Sequence, residues 1–511
     1  MLHYTPALRR IKEDAHIFSS ALDERIRPRY NRFRKECRAR MLRGCFKQGG
    51  HALQSTANHS TASQIIRLAV PVALQNLINV GVSMTDTLMI GSISEVQLSA
   101  SAQANQPYFI FTTLIFGLAS GSTVLSAQYW GRRETEPIRK ILGLMLRVGI
   151  CAGILMSVLV LLFPSQIMRV FTNDAQVVAY GCGYLSFVGW SYAFSAFTGI
   201  YLLGLRSVQN VHASMTIYSL SFVLNVFLNW VLIFGKFGMP AMEIRGAALA
   251  TLISRVCESL MTLFYMYRVE DQLFFRLPDI WRKSRPYWKT LARYSLPVLA
   301  SEVNWGLGIS VQAAIIGHLG VSVLAAASFI NVVQQLAGVA LIGLGVAAGI
   351  VVGNLVGEGR EAEVKALAKK LLKAGALIGI LICGAMLLFR PLAPNLIRAS
   401  AETAALIRDM LYVSCYLLFF QTVTCLLMMG VLRGAGDTIF CAKLDIATLW
   451  LLKIGCGLFF TAVVPLKPVW VYFILSSDEF LKAAATLPRV FRGGWIHHTT
   501  ICHDETDTLH E

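Results

Sequence analysis

The sequence predicts an all-α polytopic membrane protein, with twelve transmembrane helices in two pseudo-symmetric six-helix lobes related as a parallel repeat. Two bulk properties predict the membrane class: 55% of the 511 residues are hydrophobic and only 15% are charged, and the mean hydropathy is +0.57. Soluble domains carry about 25% charged residues, whereas helices that face a bilayer exclude charge. An internal repeat, described below, predicts the two lobes.

Twelve apolar segments of spanning length follow one another from residue 64 onwards. An even number of spans places both termini on the same side of the membrane. We place the spans at 65–90, 104–130, 140–163, 177–204, 213–234, 244–267, 293–317, 325–355, 365–389, 406–431, 440–464 and 468–487.

Lys and Arg residues in the connections predict the orientation. The connections that lead from an even-numbered span to the next odd-numbered span (even-to-odd connections) hold nineteen of them. The connections that lead from an odd-numbered span to the next even-numbered span (odd-to-even connections) hold six. By the positive-inside rule, both termini and the long 268–292 connection are expected in the cytoplasm, in a bacterial inner membrane. The regions are then a basic arm at 1–60, an N-lobe at 61–267, the inter-lobe loop at 268–292, a C-lobe at 293–489 and a tail at 490–511.

The basic arm carries thirteen Lys and Arg residues against five acidic ones, without a spanning segment. Two interpretations stay open: a disordered cytoplasmic arm, or a chain whose translation starts downstream, for instance at Met41. The net charge of +17 lies in this arm and in the loops, so we expect anionic lipid headgroups as partners and no nucleic acid. We also expect a monomer.

The second half of the chain repeats the first at a fixed offset. With an offset of 226, eleven identities fall within 65 ungapped positions, and these include Pro71 with Pro297 and Gly131 with Gly357. At an offset of 227, Arg206 meets Arg433. A repeat of six helices keeps its orientation, so the two copies are parallel and a substrate path is expected between them.

Polar residues at membrane depth are few, and one group lies in the first copy. Asp86, flanked by two threonines, is a carboxylate that can hold Na+ or a proton, or can cap a helix end. Asn225 and Asn229 are spaced i, i+4 on one face, which suits either a cation site or interhelical hydrogen bonds. Thr251 offers a hydroxyl in the sixth span.

A second ionisable site is expected at Glu302 in the seventh span. Glu302 is either a proton or cationic-cargo partner or a polar residue near the cytoplasm. Gln312 occupies the position that Asp86 has in the first copy, so the acidic site is not duplicated.

The chain contains no motif that indicates an enzyme. GxxxxGK[ST], HExxH and GxSxG patterns are absent, and none of the eleven cysteines forms a CxxC pair. We therefore expect no enzymatic activity and no cofactor, and transport would draw on an ion gradient or on the gradient of the cargo itself.

Several stretches together resemble the MATE (multidrug and toxic compound extrusion) family, in its NorM/DinF-like part. They are LAVPVALQNLINVGVSMTDTLMIG in the first span, GLRSVQN after the fourth, LNVFLNWVLIFGKFGMPAMEIRGAALAT across the fifth and sixth, and VLRGAGDT at 431–438.

This resemblance implies a secondary antiporter that exports amphipathic, often cationic organic compounds in exchange for Na+ or H+. It implies that Asp86 is a coupling-cation residue, supported by Asn225, Asn229 and Thr251. Some members carry Asp at the position of Asn229, so Na+ and H+ both stay open here. NorM-like members use a seventh-helix Glu, and Glu302 lies about one turn early in the matching helix.

Two other transporter classes remain as alternatives. A lipid-linked precursor flippase of the same superfamily usually has extra spans and a more basic cavity. A major-facilitator-type carrier also has twelve helices in two parallel copies, but the 2–3 loop here, WGRRETEPIRK, lacks the Asp that usually precedes the basic residues of that class.

Overall fold

The computed structural model describes residues 61–393, 401–462 and 466–499. All regular structure within these residues is helical. The predicted arm at 1–60 lies outside the described residues, as do 394–400, 463–465 and 500–511, so both interpretations of the arm stay predictions.

The first half contains nine α-helices. They are α1 Thr61–Gly91, α2 Glu95–Ala104, α3 Gln106–Gly131, α4 Thr135–Leu162, α5 Pro164–Phe171, α6 Ala175–Val188, α7 Ser191–Ser207, α8 His212–Phe234 and α9 Glu243–Arg268. A short 3₁₀ helix, Leu277–Trp281, lies in the connection that follows.

The second half follows a similar order of helices and adds two stretches of π-helix. Its elements are α10 Arg285–His318, α11 Val321–Gly357, α12 Glu361–Phe389, α13 Ala401–Thr424 with the π-helical Cys425–Leu432, α14 Thr438–Ala447 with the π-helical Thr448–Cys456, α15 Gly457–Ala462, α16 Pro468–Leu475 and α17 Asp478–Arg492.

Among the described residues, eight helices are long and apolar enough to cross a membrane, or nine if α6 and α7 count as one span. These two helices meet at an angle of 55°. The remaining predicted spans correspond to α10, α14–α15 and α16–α17, which polar residues or breaks interrupt. As far as the structure describes them, the twelve predicted spans coincide with single helices or with bent or broken runs of helix, and the all-α membrane class is confirmed.

Three observed boundaries differ from the sequence-based ones, each for a physical reason. The second span begins at Glu95 because the polar α2, EVQLSASAQA, precedes the apolar run. Helix α10 begins at Arg285, inside the predicted loop. Pro286 suits a helix N-terminus, and the basic residues that follow it form the first turns of the helix instead of a loop. The last span breaks at Ser476 and Ser477, after which α17 continues with acidic residues in its first turn and basic ones in its last.

The two copies meet through reciprocal contacts, as a two-fold axis requires. A Cβ placed on Gly131 would lie 2.1 Å from the carbonyl oxygen of Asn354, and one on Gly357 would lie 2.0 Å from that of Gln128. Each pair maps onto the other at the offset of 226. The repeat found in the sequence is therefore also a symmetry of the inter-lobe contact.

Glycine lets the backbones of α3 and the C-lobe helices approach this closely. At Gly121, a Cβ would lie 2.3 Å from the Cα of Ser295 in α10. The first turns of α1 also pack against the C-lobe here, because Leu68 and Val72 belong to one buried cluster with Ala347 and Val351 of α11. We call the end of the bundle where Gly131 and Gly357 lie the closed end.

Residues 493–499, which we call the C-terminal strap, cross between the lobes at the closed end. Trp495 is fully buried, and the His497 amide donates to the carbonyl of Ala435 at 2.9 Å. On the N-lobe side, Gln128 Nε2 donates to the His497 carbonyl at 3.0 Å, and Gln128 Oε1 accepts from the Thr499 amide at 2.8 Å. The described part of the predicted tail is therefore bound to both lobes.

We expect Gln128→Ala to release the strap. Gln128 is fully buried, and its loss leaves the buried Thr499 amide without an acceptor, which costs about 1–3 kcal/mol. Amide hydrogen exchange at residues 495–499 should become faster, whereas Gln166→Ala at an exposed site in α5 should leave it unchanged. Equal exchange in the wild type and Gln128→Ala would contradict this role for Gln128.

Candidate functional site

The polar residues predicted in the first copy form one cluster between α1 and α8. Asn229 Nδ2 donates to Asp86 Oδ1 at 2.5 Å and lies 3.2 Å from Asn225 Oδ1. Both asparagines are buried, with 3% and 0% of their surface exposed, and both face the carboxylate helix as their i, i+4 spacing predicts. Asp86 lies five residues before α1 ends at Gly91.

Tyr184 connects Thr251 to this cluster. The Tyr184 hydroxyl donates to Asn105 Oδ1 at 3.3 Å, lies within electrostatic range of Asp86, and lies close to Thr251 without a regular hydrogen bond to it. The four residues predicted in the first copy thus lie in one region of the N-lobe, brought together by α1, α6, α8 and α9.

Two oxygen atoms in this cluster are buried without a hydrogen-bond donor. They are Asn229 Oδ1 and Thr251 Oγ1. An acceptor buried without a partner costs free energy, so such atoms usually serve a ligand, an ion or water. Next to a carboxylate, two unpaired oxygens make an arrangement that suits a hard cation such as Na+.

Sequence reasoning missed an ion pair beside this cluster. Arg255 donates to Glu258 at 2.9 Å, and Ser221 donates to the same carboxylate oxygen at 3.0 Å. The Arg255 guanidinium lies 5.8 Å from the ring centre of Tyr108 and within electrostatic range of Asp86. An arginine in the interior of a span is the signal that would have identified it.

Glu302 is part of a separate ionic network in the C-lobe. Arg433 Nη1 lies 3.0 Å from Glu302 and Arg433 Nη2 lies 3.3 Å from Asp445. Lys482 of α17 extends the network, 3.7 Å from Asp445 and 3.1 Å from Glu479. Glu302 therefore has a fixed cationic partner in this conformation, which sequence reasoning did not foresee.

Gln312 lies on α10, half-buried, ten residues beyond Glu302. The structure does not bring it to the Asp86 cluster or into the Arg433 network. The asymmetry between the copies is therefore a carboxylate cluster in the N-lobe and a network of ion pairs in the C-lobe. Within the described residues, His, Cys, Asp and Glu form no group of three or more that could hold a metal ion.

A family comparison identifies this architecture. The MatE family model matches residues 71–231 and 307–454, which is more than half of the chain and covers part of each lobe. The chain belongs to the MatE family. MATE proteins are membrane transporters, so this chain is a transporter and not an enzyme.

Individual MATE relatives align over most of their length. The chain is 22% identical over 450 residues to the probable multidrug resistance protein NorM of Thermotoga maritima, covering 87% of this chain and 96% of that protein. It is 28% identical over 388 residues to the probable multidrug resistance protein NorM of Bradyrhizobium diazoefficiens, covering 73% of this chain and 81% of that protein. A crystal structure of a MATE protein in the bent conformation shares the fold, with a TM-score of 0.78 and 17% identity over 85% of this chain and 95% of that one.

Proposed function

We propose that this MATE protein is a secondary antiporter that exports amphipathic or cationic organic compounds in exchange for Na+ or H+. The observation that carries the proposal is the Asp86 cluster, a carboxylate with two unpaired buried oxygens beside it. A non-transport scaffold gains nothing from a carboxylate at membrane depth, which costs several kcal/mol there.

Either coupling ion can use this cluster. Na+ would bind the Asp86 carboxylate together with Asn229 Oδ1 and Thr251 Oγ1, whose lone pairs have no protein donor. A proton would bind Asp86 directly and turn the charged acceptor of Asn229 Nδ2 into a neutral acid, while Asn229 Nδ2 keeps its hydrogen bond to Asn225 Oδ1 at 3.2 Å. Binding of Na+ or of a proton changes the hydrogen bond between Asn229 of α8 and Asp86 of α1. Occupancy by the ion is thereby linked to the position of α1.

The conformation supports alternating access. The closed end holds the contacts between Gly131 and Asn354 and between Gly357 and Gln128, and α1 packs into the same closure. With the even-to-odd connections in the cytoplasm of a bacterium, this conformation is closed toward the cytoplasm. Asp86, near the opposite end of α1, would then exchange ions with the outside.

The nature of the cargo is inferred from two observations. The relatives are described as multidrug resistance proteins, which suggests small organic compounds for this chain as well. The ring of Tyr108 in the N-lobe is half-buried and has the Arg255 guanidinium 5.8 Å from its centre, and an aromatic face of this kind also suits a flat organic cation.

A transport assay in vesicles tests the proposal. We expect purified protein in lipid vesicles to move a fluorescent organic cation against its gradient when a Na+ gradient or a pH gradient is imposed, and protein-free vesicles to show none of this movement. The gradient that drives transport identifies the coupling ion. Absence of a response to either gradient would overturn the antiporter proposal.

A further inference from the structure

Arg206 is a buried cation without an acidic partner in the part of the chain that the structure describes. At the end of α7, it is 5% exposed, and its Nη2 donates to the neutral Gln75 Oε1 at 2.6 Å. Its Nε is buried without a hydrogen-bond acceptor. A buried charge is costly unless it is paired, so a missing counter-ion is expected here.

Arg206 lines a small cavity between the two lobes. The cavity has a volume of about 50 Å³, and its walls include Ser120 and Arg206 from the N-lobe and Gly349, Arg433 and Gly434 from the C-lobe. A cavity of roughly 150 Å³ is needed to hold a benzene molecule. This one therefore has room for a small ion or a few water molecules, and not for an organic cargo.

The repeat shows what Arg206 lacks. Its equivalent, Arg433, pairs with Glu302 and Asp445. The positions equivalent to those two acids, at offsets of 226 and 227, hold Asn76 and Tyr218, which carry no negative charge at neutral pH. The C-lobe arginine thus has two carboxylates, and the N-lobe arginine has neutral residues in their places.

The unpaired polar atoms of Arg206 and of Asn76, the residue equivalent to Glu302, are donors and not acceptors. Arg206 Nε and Asn76 Nδ2 are both buried without an acceptor. The Asp86 cluster shows the opposite pattern, an anion beside unpaired acceptors. We propose that the inter-lobe cavity at Arg206 binds a small monovalent anion, chloride or one of similar size, which supplies the charge that Glu302 and Asp445 supply to Arg433.

The anion would bind only while the lobes are closed together. Both lobes contribute walls to the cavity, so their separation at the closed end dismantles the site. A ligand that binds one conformation shifts the population toward it. The anion therefore acts as a counter-ion that stabilises the closed conformation, and the proposal does not depend on which cation drives transport.

Thermal unfolding of the purified full-length chain tests this site. The measurement is made in chloride, nitrate, formate and gluconate at equal sodium concentration and ionic strength. We expect the small anions to raise the unfolding midpoint by several degrees over gluconate, which is too bulky for the cavity. Protection by chloride alone or by all three small anions supports the proposal. Equal midpoints in every salt would overturn it.

Two variants and one control separate the site from general salt effects. Arg206→Gln should remove the difference between chloride and gluconate, whereas Arg169→Gln, at an exposed position, should keep it. Asn76→Glu introduces the carboxylate that the second copy already has. The unfolding midpoint of this variant should be the same in chloride and in gluconate. The variant therefore tests the site even if Arg206→Gln does not fold. A chloride effect of wild-type size in Asn76→Glu would contradict the proposal.

Discussion

Asp86→Asn is expected to abolish gradient-driven export and to leave expression and membrane insertion unchanged. The two side chains have nearly the same shape, and an amide oxygen can still accept from Asn229 Nδ2, which lies 2.5 Å from Asp86 Oδ1. The substitution removes the charge that would attract Na+ and the group that would take up a proton. Export in vesicles should fall to the level of protein-free vesicles under both gradients.

Asp174→Asn is the matched control for this prediction. Asp174 is exposed and caps α6 by accepting from the amides of Gln176 and Val177, a role that Asn fills about as well. Its export should equal that of the wild type. If Asp86→Asn also exports at the wild-type rate, Asp86 has no part in the coupling and another ion site must be sought.

Gly131→Ala and Gly357→Ala are expected to prevent the closed conformation and to stop turnover. A methyl group at either position would lie about 2 Å from a backbone oxygen of the other lobe, where the backbone has to move. Overpacking of this kind costs about 1–3 kcal/mol, and a shift of that size changes a conformational equilibrium roughly 5- to 150-fold.

The distance between spin labels placed on the two lobes at the closed end would report this shift. Both variants should show a longer distance and little transport, and the two should behave alike because the repeat makes their contacts equivalent. Gly338→Ala provides the control, since it lies on α11, as does Gly357, and has nothing within 4 Å of a Cβ. An unchanged distance in both variants would show that the lobes close by another contact.

The sequence predicted most of the scaffold because its signals are local. Apolar runs locate the spans, and the repeat at an offset of 226 pairs Gly131 with Gly357, whose contacts in the structure are reciprocal. The i, i+4 spacing of Asn225 and Asn229 predicted that they share a face. The hydrogen bond from Asn229 to Asp86 agrees with the expected cluster, although the role of the cluster in coupling stays a prediction.

Other features depend on contacts between distant residues, which a single sequence does not reveal. Glu302 looked like an isolated acid because its partner, Arg433, lies 131 residues away. Arg255 and Glu258 are only three residues apart, but that spacing does not reveal that the pair lies beside Asp86, because this depends on how α9 packs against its neighbours. The basic residues at the start of α10 were assigned to a loop because charge, rather than helix propensity, dominated that stretch.

The C-terminal strap has a consequence for the biosynthesis of the protein. The bonds between Thr499 and Gln128 join residues 371 positions apart. When the ribosome has completed the first lobe, Gln128 still has no acceptor or donor from the strap, because Thr499 is made 371 residues later. The N-lobe is therefore synthesised without this contact, and the strap can join the two lobes only after the C-lobe has been made.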